Sequence, residues 1–278
     1  MIKQLAWNTF KNTGNIDTFL ELIEVQNIEK NIKVNEYGNN QDEGDNNIGK
    51  QHVWFWQNGY DFNSKSEKLG AQRSGARRPK SMLMAATQYL CFGEYMIYKG
   101  VNSYHINSCD TIEIFYPIRI DLDKLKYAAH ITKIINDVTD ENQNTYKILA
   151  LLLNTLYMVS ETDKNLDLVV SIFKLRLLCY LGFTPRIDGC VGCNKDNNIQ
   201  YFSLRDNGFK CAECGRQDKS CIEIGEATIK AIKYIIMAPD KKIFSFNISD
   251  ESLKELDLVT KLYLNEKLEK EYKIEEIF

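Results

Sequence analysis

Two short cysteine pairs constrain this chain more than any other feature. Cys190-Val191-Gly192-Cys193 is followed by Cys211-Ala212-Glu213-Cys214, with seventeen residues between the pairs. Each CxxC lets two thiolates converge on one metal from a tight turn, and two such turns complete a tetrahedron. Four sulfurs satisfy Zn²⁺ and leave no position open for water or substrate, so the pattern points to a structural ion. Ile199-Gln200-Tyr201-Phe202-Ser203 and Gly208-Phe209-Lys210 read as the two strands of a ribbon between the knuckles. The competing reading is two unconnected pairs, one of them redox-active. Against it, neither pair has the strand-to-helix setting of a thioredoxin-like motif.

The remaining cysteines do not form a disulfide framework. The chain has 278 residues and eight cysteines, and Met1-Ile2-Lys3-Gln4 leads into no apolar signal segment. Cys91, Cys109, Cys179 and Cys221 are scattered, and Cys179 reads as a small core residue within Leu175–Leu181. The longest apolar run, Ile148 to Val159, is interrupted by Asn154 and Thr155 and is too short to span a bilayer. The expectation is a cytoplasmic protein with no membrane partner.

Three textures follow one another along the chain. Residues 1–70 are polar and irregular, with an Asn-rich run from Asn35 to Asn47, one amphipathic helix around Ile16–Ile23 and a strand at His52–Trp56. From Phe92 to Phe115 the pattern is β. Glu94–Lys99, Tyr104–Ile106 and Thr111–Phe115 read as three strands, the first two joined by a turn at Gly100-Val101-Asn102. Such strands fit a small barrel or sandwich. After Pro117 the period becomes helical. Five helices are expected: one capped by Asp121, one over Tyr146–Ser160, one from Leu166 stopping at Gly182, one carrying Ile229, Ile232 and Ile236, and one capped by Ser249.

Net charge is −3, so nucleic-acid binding requires a local patch. One exists. Between Lys65 and Ser81 stand six cations, Lys65, Lys68, Arg73, Arg77, Arg78 and Lys80, against the single acid Glu67. Gly75 and Pro79 break the segment into loop. A basic loop beside an aromatic-rich β region suits a nucleic-acid backbone, with rings for base stacking; the plainer reading is a solvated linker. Signals for catalysis are weak. His52, His105 and His130 are far apart, and no Walker-type loop, GxGxxG or GxSxG occurs. Asp121 and Asp123 fit a helix start, and Asp137, Asp140 and Glu141 fall at a helix end. The chain is therefore read as no enzyme, with no small-molecule substrate. A hydrolase using scattered loop carboxylates is the weakest alternative.

Three features in this order resemble the RecO family of bacterial recombination mediators, in the form found in Clostridium-like bacteria. They are Gly75-Ala76-Arg77-Arg78-Pro79-Lys80-Ser81; then Phe92-Gly93-Glu94-Tyr95 leading to Tyr98-Lys99-Gly100; then Phe173-Lys174-Leu175-Arg176-Leu177-Leu178 through Leu181-Gly182-Phe183-Thr184-Pro185 into the cysteine segment. The resemblance covers about three quarters of the chain, from Ser74 onward; residues 1–70 lack the family's pattern. It implies an α+β protein: an N-terminal OB-like β-barrel over 1–116, then an all-helical domain over 117–278 with a four-cysteine zinc ribbon inserted at 188–216. It further implies one structural Zn²⁺ on Cys190, Cys193, Cys211 and Cys214, and DNA contacts from Arg77, Arg78 and Lys80, to which the local charge pattern adds Arg73. The implied partners are single- and double-stranded DNA, RecR and the C-terminal tail of single-stranded-DNA-binding protein (SSB). The implied role is non-catalytic DNA repair at the bacterial nucleoid: annealing complementary strands and loading RecA. The alternative is a zinc-ribbon scaffold that binds only protein partners.

Overall fold

The computed structural model describes residues 49–55, 60–62, 68–72, 89–99, 104–139 and 146–274. These divide into two compact units. The first contains the chain up to Tyr116 together with Thr139–Ala150; the second contains Pro117–Val138 and the chain from Leu151 onward. The helix expected at Ile16–Ile23 and the basic residues Arg73, Arg77, Arg78 and Lys80 lie outside the described residues.

The first unit holds a five-stranded sheet. Its strands are β1 (Gly49–Phe55), β2 (Tyr60–Phe62), β3 (Lys68–Gln72), β4 (Cys91–Lys99) and β5 (Tyr104–Glu113). The order across the sheet is β1-β4-β5-β3-β2. All neighbours pair antiparallel except β3 and β5, which run parallel through Ala71–Tyr104 and Gln72–His105. The two strands expected at Tyr104–Ile106 and Thr111–Phe115 are one strand. Register shifts opposite Met96/Ile97 and Phe92/Gly93 leave Asn107 and Ile112 as extra residues on β5, so the polar Ser108–Asp110 stretch stays paired where strict alternation fails.

The second unit is helical. Its elements are α1 (Tyr116–Ile120, joined at Pro117), α2 (Leu122–Val138), α3 (Tyr146–Glu161, from Leu151), α4 (Leu166–Tyr180), α5 (Ala212–Arg216), α6 (Glu226–Met237) and α7 (Asp250–Lys267). The expected caps are in place. Asp121 Oδ1 accepts from the backbone N–H of Asp123 at 2.9 Å and Lys124 at 3.1 Å, and Ser249 Oγ accepts from Ser252 at 3.4 Å. Gly182, with φ at +92°, ends α4: Phe183 N–H returns to the Leu178 carbonyl at 2.8 Å. Two short elements escaped the sequence reading, α1 and α5, each too brief to show a period. No helix among the described residues is long and apolar enough to cross a membrane.

Helix α4 is the centre of this unit. Leu168, Val169, Val170, Ile172, Phe173, Leu175, Leu177 and Leu178 are all buried, so it has no solvent stripe. Cys179, read as core, is only half-buried at its last turn. Burial all round forces partners on the two cations of Phe173-Lys174-Leu175-Arg176. Lys174 is 3% exposed and meets Asp257 of α7 at 3.3 Å. Burial pulls its pKa down, and the Asp257 carboxylate opposes that. Arg176 donates to the carbonyls of Ile235 at 3.1 Å and Ile236 at 2.8 Å near the end of α6, and to Asp240 just beyond it. Helix α6 starts at Gly225, which has no side chain to cap it. Glu255 of α7 supplies the acceptor instead, 2.8 Å from Gly225 N and 2.5 Å from the Thr228 hydroxyl.

Because Lys174 is buried and Asp257 is its ion-pair partner, Asp257→Ala is expected to lower stability by about 2–3 kcal/mol. That is below the roughly 3–5 kcal/mol for breaking a fully buried pair, since Asp257 itself is 40% exposed. Adding Lys174→Met should recover most of the loss, by removing the stranded charge while keeping its volume. Urea midpoints of the single and double variants check this; equal midpoints would show that the pair carries no weight.

Candidate metal centre

Beyond α4 the chain builds a small three-stranded sheet, β6 (Ile199–Ser203), β7 (Gly208–Cys211) and β8 (Cys221–Glu223), ordered β7-β6-β8. The first two strands lie where the ribbon was expected; β8 escaped notice because three residues show no alternation. Asn207, in the left-handed region with φ at +56°, precedes Gly208 at the end of the β6–β7 turn. Ser203 Oγ stabilises the same turn by accepting from Asp206 N–H at 3.1 Å.

This hairpin closes the seventeen-residue gap between the cysteine pairs. The segment carrying the first pair runs along β7, which carries the start of the second. Arg186 and Gly208 form a parallel bridge: Arg186 N–H donates to Asn207 at 2.8 Å and Phe209 N–H donates to Arg186 at 3.1 Å. Val191 N–H then reaches the Phe209 carbonyl at 2.8 Å, within the first CxxC itself. That turn is closed by Asn194 N–H to Cys190 O at 2.9 Å and Cys190 N–H to Lys195 O at 2.7 Å.

The second pair is built differently. Cys211 is the last residue of β7 and the N-cap of α5, so Cys214 sits on the first turn of a short helix. This corrects the sequence reading, in which neither pair stood between a strand and a helix. The isolated redox pair still fails, because the other two thiols are in the same place. Two glycines allow the approach. A Cβ on Gly192 would lie 3.2 Å from Cys214 Sγ, and one on Gly215 would lie 2.2 Å from the Tyr201 ring. Sequence reasoning passed over both; a glycine inside or directly after a CxxC is the signal that marks them.

The result is one cluster. One sulfur from each of Cys190, Cys193, Cys211 and Cys214 lies within 4.8 Å of all the others. Cys193 Sγ and Cys211 Sγ are 3.7 Å apart. A disulfide requires about 2.05 Å, whereas the edge of a tetrahedron with Zn–S bonds of about 2.3 Å is about 3.8 Å. Cys190 and Cys211 are buried, Cys214 is half-buried and Cys193 is exposed. Burial works against ionising Cys190, but the backbone N–H groups of Cys211, Cys193 and Gly192 outweigh it and hold the thiol down at about 6. Cys214 is pushed up to about 12, because the sulfurs of Cys211, Cys190 and Cys193 hold its proton. An all-sulfur donor set with this spacing and N–H support fits a tetrahedral thiophilic ion, with every coordination position supplied by the protein.

A second feature of the ribbon was not read from sequence. Lys210 of β7, 9% exposed at its side chain, lies between Asp218 at 2.6 Å and Asp206, tying the β6–β7 turn to the segment before β8. Of the three histidines, His130 is buried in α2 and is not among the groups of the sulfur cluster, while His52 and His105 belong to β1 and β5 of the first unit.

Comparison with known proteins gives a consistent assignment. Residues 119–275 match the family model described as Recombination protein O C terminal. A protein from Acetivibrio thermocellus named DNA repair protein RecO is 43% identical over 212 residues, covering 76% of this chain and 84% of its own. Proteins of the same name from Thermoanaerobacter sp. (strain X514) and Alkaliphilus metalliredigens are 32% and 30% identical. They cover 76% and 73% of this chain, and 86% and 83% of their own lengths. The four-cysteine cluster and the α4 motif both fall inside the matched segment, and the chain belongs to the RecO family.

Proposed function

We propose that this chain is a non-catalytic, DNA-binding recombination mediator in DNA repair. It binds single- and double-stranded DNA and anneals complementary strands. With RecR, it helps load RecA onto single strands coated by SSB, whose C-terminal tail it engages. It works in the bacterial cytoplasm, at the nucleoid. The observation that carries this reading is the alignment of proteins named DNA repair protein RecO along about three quarters of the chain.

On this reading residues 1–116 form the DNA-binding domain and residues 117–278 the helical domain, with the ribbon at 188–216. The strand order β1-β4-β5-β3-β2 with one parallel pair supports an OB-type barrel, a five-stranded Greek-key fold used on oligonucleotides. The basic run Arg73, Arg77, Arg78 and Lys80 follows directly on β3 in sequence and would track phosphates. Cys190, Cys193, Cys211 and Cys214 would hold one zinc ion. When bound, the ion supplies a crosslink between the two knuckles and no reaction chemistry, since the protein fills every ligand position. A DNA mediator and a protein-only scaffold share all of these features except the phosphate contacts, so salt dependence separates them.

Metal-replete protein is expected to carry one zinc per chain by elemental analysis. Cys193→Ser should loosen residues 188–216 in hydrogen exchange while the large helices keep their protection, because closed thiolate sites contribute on the order of 10–16 kcal/mol to their own local fold. Zinc-free protein, or a disulfide in both pairs, would overturn the assignment.

Single-stranded DNA is expected to bind without sequence preference. If all six cations from Lys65 to Lys80 met phosphates, log affinity would fall with log salt at a slope of about −4, at about −0.7 per phosphate. Arg77→Ala with Arg78→Ala should flatten that slope by up to about 1.4 and slow annealing, with zinc content unchanged. A double variant that keeps the wild-type slope makes the segment a linker and favours the scaffold.

A further inference from the structure

We propose that a cavity between α2, α4, α7 and the C-terminal segment is a binding site for a small oxyanion, inorganic phosphate being the simplest, with His130 and Lys261 as its donors. The cavity measures about 260 Å³ and lies wholly within the helical unit, away from the cysteine cluster. Its polar groups come from separate helices: His130 from α2, Lys174 from α4, and Asp257 and Lys261 from α7, where a spacing of four residues puts both on one face. Asp167 of α4 also lines it, and its carboxylate accepts from the Tyr127 hydroxyl. Residues 272–274 cover it, and among them Lys273 adds a further cation, paired with Glu271 at 3.2 Å. Tyr272, 3% exposed, holds that segment in place, and its N–H donates to Asn265 Oδ1 at 3.2 Å.

His130 is what calls for a ligand. It is 1% exposed, and neither Nδ1 nor Nε2 has a hydrogen-bond partner among the described residues. Buried polar nitrogens are nearly always satisfied, so a ring with two orphans lining a cavity points to an occupant. Burial, followed by the charges of Lys174, Lys133 and Lys261, pushes its pKa down to about 3, leaving a neutral ring with one N–H donor. Asp257 neutralises Lys174 at 3.3 Å, but Lys261 makes no ion pair among the described residues. Beside the carboxylates of Asp167 and Asp257, the cavity therefore offers an N–H donor and an ammonium outside the Lys174–Asp257 pair, which together are the recognition chemistry of an oxyanion. Its volume is several times the roughly 30 Å³ share of one water and below the roughly 300–1,000 Å³ of sites for larger organic ligands.

The test titrates the full-length chain with inorganic phosphate at constant ionic strength, following the His130 imidazole C–H resonance and the heat of binding. Saturable one-to-one binding that shifts this resonance is expected, with chloride giving no response. Lys261→Gln should weaken binding about tenfold or more, as expected for one charge-assisted hydrogen bond. His130→Phe, which removes the ring nitrogens, should abolish the heat. Lys261 is half-buried, so its variant decides the matter even if His130→Phe does not fold. A non-saturating response, an equal response to chloride, or unchanged affinity in Lys261→Gln would mean the cavity holds only water. None of these outcomes bears on the zinc and DNA-contact residues proposed above, which are other residues than those lining this cavity.

Discussion

The helical unit depends on one requirement: a helix buried on every side cannot carry charge without giving each charge a partner. Helix α4 carries two cations, Lys174 and Arg176, and each selects a neighbour. Lys174 needs Asp257, which sets how α7 faces α4. Arg176 needs the carbonyls of Ile235 and Ile236 and the Asp240 carboxylate, which fixes where α6 ends. Glu255, two residues before Asp257, then caps the start of α6. The same short stretch of α7 thus neutralises the central helix and begins its neighbour. Apolar packing alone would tolerate small rotations of these helices; unpartnered buried cations would not.

The ribbon is anchored to this frame by aromatic contacts. Tyr263 of α7 is fully buried, with its hydroxyl donating to the Phe183 carbonyl at 2.9 Å and its ring edge-on to Phe202 of β6 at 5.2 Å. Phe202 meets Phe209 of β7 at 6.2 Å. The ribbon's apolar side is thus continuous with the helical core, while its cysteine cluster is held by its own turns. The inserted segment is held by area burial where it touches the helices and by backbone hydrogen bonds that close the turns around the sulfurs.

Much of this was legible because the signals are local. A CxxC repeats within one turn, an Asp or Ser before an apolar stripe caps its own helix, and Gly182 ends α4 through its own φ angle. What escaped was short or non-local. Strand β8 and helices α1 and α5 are below the length at which a period shows. The polar stretch Asn107–Asp110 broke the alternation of β5, yet bulges keep it in the strand. The second cysteine pair was misplaced in context because a five-residue helix has no sequence signature apart from the pair itself. The basic run from Arg73 to Lys80 rests on composition, with its placement outside the described residues.

The sequence by itself determined the elements and the chemistry available to them. The helices, the ribbon hairpin and four thiols with the right spacing for one site are all properties of residues close together along the chain. Only the tertiary structure decided which distant groups meet. It brought the two knuckles to 3.7 Å through the parallel bridge of Arg186 with Gly208. It chose Asp257, eighty-three residues away, as the partner of Lys174, and it left His130 beside Lys261 in a cavity, with no partner for the ring among the described residues. The reason is physical: hydrogen-bonded turns and caps are satisfied within a few residues. A buried charge or imidazole must find its partner wherever packing places one.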